Sequence, residues 1–237
     1  MPPDPSHLLD SLGLETPPIG LYDAPDATAF EPCVRPEPGR HTCLFAFYKD
    51  WLRGRTLHLT WEAHGCGGAA PVLFGRNERT PEDLVTFLVE EEGLKRSRET
   101  MMRWVERRRM HRPAHPNVLI GPLRPEQDTH LLSVTFFVDP DRLAALVVGA
   151  NYDAGPDDPV AVTAPFGSGC AQLLGPAGDA PAATIGATDS AMRRHLPADT
   201  LAFTVNRAMF ERLCALDERS FLHKSFWTGL QAARGRA

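Results

Sequence analysis

The sequence predicts an α+β fold: a single domain over residues 1–237, with a mixed or antiparallel sheet flanked by helices. Three observations lead there. The chain has 237 residues, of which 43% are hydrophobic and 23% charged, an ordinary globular composition with enough length to bury a real core. Strand-like and helix-like segments follow one another without the regular alternation that a doubly wound parallel sheet needs. Twenty-two prolines cut the chain into short elements, and no repeat period or obvious linker divides it.

The elements follow in order. Residues 5–14 read as a short helix with Leu8, Leu9 and Leu12 on one face and Gly13 near its end, broken by Pro17-Pro18. Residues 19–22 read as a strand, and 25–39 as a proline-rich loop carrying Cys33. Residues 42–52 have helical spacing, with Thr42 as N-cap and Gly54 as stop, and 56–61 alternate as a strand does. Thr80-Pro81-Glu82-Asp83 combines a capping threonine, a proline at the first helical position and acids in the first turn, so a helix should run to about Glu92. A second, basic helix spans 95–112. Residues 118–121 and 131–138 read as strands, the latter a continuous apolar run, and Asp139-Pro140 then starts a helix ending near Gly149. A glycine- and proline-rich stretch, 153–182, holds a short strand at 160–163. Strand 200–205 and helix 207–216, capped by Asn206, close a C-terminal unit (200–237) docked on the rest. The two strand-helix units, 131–149 and 200–216, resemble each other over too short a span to establish duplication.

Charge and hydropathy narrow the function classes. A net charge of −5 argues against a surface built to hold nucleic acid. The cationic run Lys95, Arg96, Arg98, Arg103, Arg107, Arg108, Arg109 and Arg112 reads as a solvated helix face, with Met101, Trp104 and Val105 turned inward. With a mean hydropathy of −0.25, no window approaches the roughly 20 apolar residues of a membrane span. Residues 1–5 have neither a basic n-region nor an apolar h-region, so the expected location is the cytoplasm, where cysteines stay reduced.

Five cysteines then need placing. Cys214 sits on an apolar helix face and reads as core; Cys33 sits among prolines and reads as incidental. Cys43, Cys66 and Cys170 each fall at an expected helix start, where free amide groups can stabilise a thiolate. No Cys-Xaa-Xaa-Cys spacing exists, so any metal site must be assembled from distant segments. His41 and His64 each precede a cysteine by two residues, which in extended chain puts both side chains on one face. Gly67 and Gly68 let backbone approach a ligand, though they fit no phosphate or dinucleotide fingerprint. Ser168 between glycines lacks the full nucleophile-elbow spacing. Packing of small apolar thiols, metal ligation and thiol chemistry all remain open on spacing alone.

The order of Pro17-Pro18-Ile19-Gly20-Leu21, Cys43, Cys66-Gly67-Gly68-Ala69, Phe74-Gly75, Gly121-Pro122-Leu123, Asp139-Pro140, Tyr152 and Gly169-Cys170 resembles the bacterial and archaeal family called "domain of unknown function 169", over about residues 15–195. The resemblance implies that Cys43, Cys66 and Cys170 are the family's recurring cysteines and meet in space. The family pattern places a further cysteine where this chain has Thr184-Ile185-Gly186-Ala187-Thr188. A four-cysteine iron-sulfur centre is therefore not implied; the resemblance is compatible with a three-cysteine centre with an open or histidine-filled position, and equally with a degenerate site.

The expectations are these. Cys43, Cys66, Cys170 and His64 form a metal or redox site holding zinc or an iron-sulfur cluster. Alternatively, Gly67, Gly68 and Arg193 border a metal-free pocket for a small molecule or anion, or Cys66 carries thiol-dependent chemistry. The partners are a small molecule or a metal, with neither membrane nor nucleic acid.

Overall fold

The computed structural model describes residues 4–76, 79–107, 109–165 and 169–236. Arg108 of the basic run, and Gly167 and Ser168 of the glycine loop, lie outside them.

Helix α1 (Ser6–Leu12) buries Leu8 and Leu12 and ends on Gly13, whose φ of 58° supplies the left-handed cap that the sequence suggests. Strand β1 (Ile19–Ala24) leads to the edge strand β2 (Cys33–Val34), so Cys33 lies in a strand instead of a loop. The expected 42–52 helix is split: a 3-10 segment over Leu44–Phe47 runs into α2 (Tyr48–Leu52), and Thr42 donates its N–H to Gly65 O (3.0 Å) instead of capping. Strand β3 (Thr56–Leu59) is followed by α3 (Ala70–Leu73).

Helix α4 (Pro81–Thr86) has the full capping box. Thr80 Oγ1 accepts from Asp83 N (3.1 Å), while the Asp83 carboxylate accepts from Thr80 N (3.3 Å). It widens into a π-helical turn, Phe87–Glu91, before α5 (Arg98–Arg107). These helices form a hairpin with its own small apolar cluster of Val85, Leu88 and Met101.

Next come β4 (Asn117–Pro122), β5 (Leu131–Val138), α6 (Pro140–Ala150), β6 (Val162–Thr163) and α7 (Gly169–Leu174). The chain continues through β7 (Ala183–Gly186), α8 (Ser190–Arg193), β8 (Leu201–Asn206), α9 (Arg207–Cys214) and α10 (Ser225–Ala233). Asn206 caps α9 by accepting from Met209 N (3.0 Å). Strand β7 escapes the sequence reading because its four residues include Gly186 and carry no alternation.

Among the described residues, eight strands join one mixed sheet in the order β2-β3-β4-β1-β5-β8-β7-β6. The order is symmetric about the central antiparallel β1/β5 pair. Outward from that pair each half runs antiparallel, antiparallel, then parallel: β1-β4-β3-β2 on one side and β5-β8-β7-β6 on the other. The chain is thus two topologically equivalent halves, the feature that the short strand-helix likeness could not establish.

Both faces are covered. On one, α1, α6, α9 and α10 bury Leu12, Leu146, Phe210 and Trp227 against Phe136, Phe203 and Val205. On the other, Trp51, Leu73, Leu173 and Met192 pack on Leu57, Leu59, Ile120 and Phe137. This second face carries the site. Among the described residues no helix is long and apolar enough to cross a membrane.

Candidate functional site

The topological equivalence places four residues in related positions. Cys43 opens the helical segment between β2 and β3, as Cys170 does between β6 and β7. Cys66 follows β3 before α3, and Asp189 follows β7 as the N-cap of α8. All four line one cavity of about 380 Å³, roofed by Leu84, Phe87, Leu88 and Trp104 of the helical hairpin.

Local bonds fix each sulfur. Thr42 N donates to Gly65 O (3.0 Å), and Gly67 N donates to His41 Nδ1 (3.3 Å), stitching the Cys43 and Cys66 segments together. Gly65 must be glycine here: its φ is 68°, and a Cβ would lie 3.0 Å from Thr42 O. On the other side, the Ser133 and Thr135 hydroxyls donate to Leu174 O (3.2 Å) and Leu173 O (3.4 Å), holding the end of α7 on the sheet. Its start is held by Asp189, which accepts from Gly169 N (3.2 Å) as well as from Ala191 N (2.8 Å). Gly169 packs so closely that a Cβ would approach Met192 Cγ to 2.6 Å.

Cys43, Cys66 and Cys170 line the same cavity, and each shifts the titration of its neighbours there. Cys66 is buried, and its sulfur also accepts backbone amides, among them Ala69 N at 3.5 Å. The hydrogen bond from Cys170, joined by the amides of Ala69, Gly68 and Ala70, outweighs burial and brings the Cys66 thiol down to about 5. A separate interaction with Cys170 lowers Cys43, against burial and with help from the Phe45 amide. Cys170 pays the opposite way: its bonds to Cys43 and Cys66, and its burial, push it well above an ordinary thiol. In the same cavity Glu92 is raised by burial and by the nearby Asp189 carboxylate.

Other expected site residues fall elsewhere. His64 does not share the cysteine cavity. A tight turn, closed by Cys66 N donating to His64 O (2.8 Å), replaces the extended geometry, and the ring stands 5.5 Å from that of Trp61 in a neighbouring 480 Å³ cavity. His41 is the histidine bordering both cavities. Gly68 lines the cysteine cavity and Gly67 the adjoining ones. Arg193 is engaged structurally, its guanidinium donating to the carbonyls of Thr200, Pro197 (3.0 Å) and Ala198 (2.7 Å). The cavity's arginines are Arg79, whose guanidinium sits 4.7 Å from the Phe87 ring centre, and Arg194. Neither these nor Asp189 carries a sequence motif; only the fold brings them in.

Among the described residues, no group of three or more His, Cys, Asp or Glu side chains is arranged to hold a metal ion. Of the expected set of Cys43, Cys66, Cys170 and His64, the three cysteines line one cavity and His64 lines its neighbour. Cys214 is half-buried and raised to about 12 by its apolar surroundings, and Cys33 is half-buried with its thiol raised by burial.

Fold and site together define an α+β protein with a thiol-lined cavity beneath a helical hairpin. The chain belongs to the DUF169 family, described as uncharacterised ArCR, whose model matches residues 7–215. No curated protein and no solved structure matches it.

Proposed function

We propose that this protein binds a small molecule in the cavity above the three cysteines and that Cys66 is the group that acts on it. The observation carrying this reading is the setting of the Cys66 sulfur, buried among backbone amides beside the Cys170 thiol and open to the cavity. An anion in so apolar a place persists only when hydrogen bonds replace water. A stabilised thiolate under an apolar roof suits attack on an electrophilic carbon, sulfur or oxygen. Arg79 and Arg194 border the same space and suit a ligand with an anionic end. Thermal-shift screening of metal-free protein against carboxylates, phosphates and nucleotides tests it. Stabilisation that also protects Cys66 from iodoacetamide is expected; a panel that neither stabilises the protein nor protects Cys66 defeats the reading.

A second reading, a zinc ion or iron-sulfur cluster held by Cys43, Cys66 and Cys170, is favoured by the convergence of the three thiols on one cavity. Sulfur donors have the right softness for either group. Among the described residues, no group of three or more His, Cys, Asp or Glu side chains is arranged to hold either. Metal analysis and a visible spectrum of anaerobically purified protein decide: stoichiometric iron or zinc would replace the first reading with this one.

A further inference from the structure

We infer that the ligand of the cysteine cavity is an apolar monocarboxylate, held at its charged end by Arg79 and along its body by the helical hairpin. This rests on the proposed binding of a small molecule there and names its class. Arg79 borders three adjoining cavities: that of the cysteines, that of His64, and a third of about 230 Å³ between α3 and the hairpin. No other described residue lines all three. Other arginines of the hairpin have carboxylate partners, Arg98 pairing with Glu90 and Arg103 lying 3.9 Å from Glu99. Among the described residues Arg79 has no such ion pair; its guanidinium lies 4.7 Å from the Phe87 ring centre. One face of the cation is thus held against a ring, and its N–H edge is left for a planar partner with two oxygens. The side chain departs from a fixed point, because the next residue, Thr80, is locked by its capping box with Asp83.

The rest of the cavity wall sets the body and the charge of the ligand. Leu84, Phe87, Leu88, Trp104 and Met192 present an apolar surface suited to an acyl chain or an aryl group. Phe87 and Leu88 belong to the π-helical turn, a rare distortion that recurs at functional sites. Glu92 and Asp189 border the same space, so a second negative group on the ligand would meet like charge. A phosphate monoester, with about 1.5–2 negative charges at neutral pH, meets the same repulsion. Arg194, the cavity's other arginine, already directs its Nε at His195 Nε2 (3.4 Å). One free guanidinium edge matches one carboxylate, two parallel N–H donors to two oxygens.

The test titrates the full reduced chain by calorimetry with butanoate, hexanoate and octanoate, and with octanol, octanedioate and octyl phosphate as controls that each change one feature. Kd should fall about fourfold per added methylene until the cavity is filled. Each control should bind about tenfold or more weakly than octanoate. Arg79→Met, which keeps the apolar stem of an exposed side chain, should weaken octanoate about tenfold and leave octanol and the Tm of the free chain unchanged. Should Arg79→Met lower Tm, the difference between octanoate and its controls in the unaltered chain decides alone. Equal binding of octanoate and octanol, a preference for octanedioate or octyl phosphate, or undiminished octanoate binding by Arg79→Met would each overturn the inference. Iodoacetamide separates the two levels. A phosphate or nucleotide that protects Cys66 where octanoate does not removes the ligand class and leaves the proposed function standing; Arg79-dependent octanoate binding that leaves Cys66 unprotected keeps the ligand class and removes the role of Cys66.

Discussion

Alkylation of Cys66 across pH reads the chemistry of the site directly, and the size of the effect follows from its surroundings. Cys66 titrates at about 5 in the fold, against about 8.5 for a free cysteine. Near pH 6, roughly 90% of Cys66 is thiolate, against roughly 0.3% of a free thiol. A weaker base is also a weaker nucleophile: with a Brønsted slope of about 0.45, the Cys66 thiolate attacks about 40-fold more slowly. Multiplying the two, Cys66 leads a free cysteine by about 7-fold near pH 6, matches it near pH 7 and trails by about 20-fold near pH 8.5. Rapid labelling at neutrality is therefore a poor criterion; the shape of the profile is the signal. Restricted entry to the cavity scales every rate equally and leaves the shape intact. The assay is an iodoacetamide time course with peptide mapping, from about pH 5 to pH 9, expected to be flat for Cys66 above about pH 6. Cys170→Ala removes the first of the bonds that stabilise the thiolate, and should move the profile to higher pH. A rate rising tenfold per pH unit between about pH 6 and pH 8 would show an ordinary thiol and refute the argument.

Three stability predictions follow from the scaffold. Gly169→Ala drives a Cβ into Met192 Cγ at 2.6 Å and Phe45 Cε2 at 3.3 Å; we expect a loss of about 1–3 kcal/mol by denaturant titration, accompanied by a shift of the Cys66 profile to higher pH. Buried Arg142 donates to Leu12 O (3.1 Å), to Gly13 O and to Asp139 Oδ2 (2.5 Å), so Arg142→Met should cost about 3 kcal/mol, lowering Tm by about 6–12 °C. Burial raises the Asp139 carboxyl, but hydrogen bonds from the Arg142 backbone and guanidinium outweigh it and hold the group below its ordinary 3.8. That contribution is present above 3.8 and fades as pH falls below it, so the gap between the unaltered chain and Arg142→Met should narrow in acid; a gap constant down to pH 3 would sink the assignment. Asn206→Ala removes the α9 cap together with bonds to Ala182 N (3.0 Å), Gly178 O (2.9 Å) and Ala180 O (2.7 Å), for an expected loss of about 2–4 kcal/mol in the same titration.

Much of the scaffold is legible in the sequence where local chemistry decides. The capping threonine with Pro81, Asp139 before Pro140 and Asn206 before α9 each start a helix because side-chain oxygens satisfy orphan amides, a short-range requirement. Strand β5 is legible from its apolar run, buried on both faces of the sheet. The misreadings have long-range causes. Residues 42–47 look helical by spacing, yet Thr42 is bonded to Gly65 and the chain enters through a 3-10 turn. His64 has the spacing of a ligand, yet Gly65 turns the chain beneath it. Arg193 looks like a free cation in sequence but closes the loop to Thr200.

The two halves of the sheet explain why three thiols and one carboxylate share a cavity, which no linear motif announces. Positions equivalent by topology differ in chemistry: the first half contributes Cys43 and Cys66, the second Cys170 and Asp189. The carboxylate is not a fourth equivalent donor. Asp189 spends its oxygens on Gly169 N and Ala191 N, so it fixes the turn from which Cys170 reaches the other sulfurs. This division gives Cys170 a place fixed by Asp189 and a thiol raised well above the ordinary value, while Cys66 is lowered. Among the described residues the helical hairpin occurs only in the first half, between β3 and β4, and it roofs the cysteine cavity with Leu84, Phe87 and Leu88. Under the proposed function the Cys66 thiolate lies beneath this roof; a thiol serving only as a small hydrophobe would have no use for the Ala69 amide that its sulfur accepts.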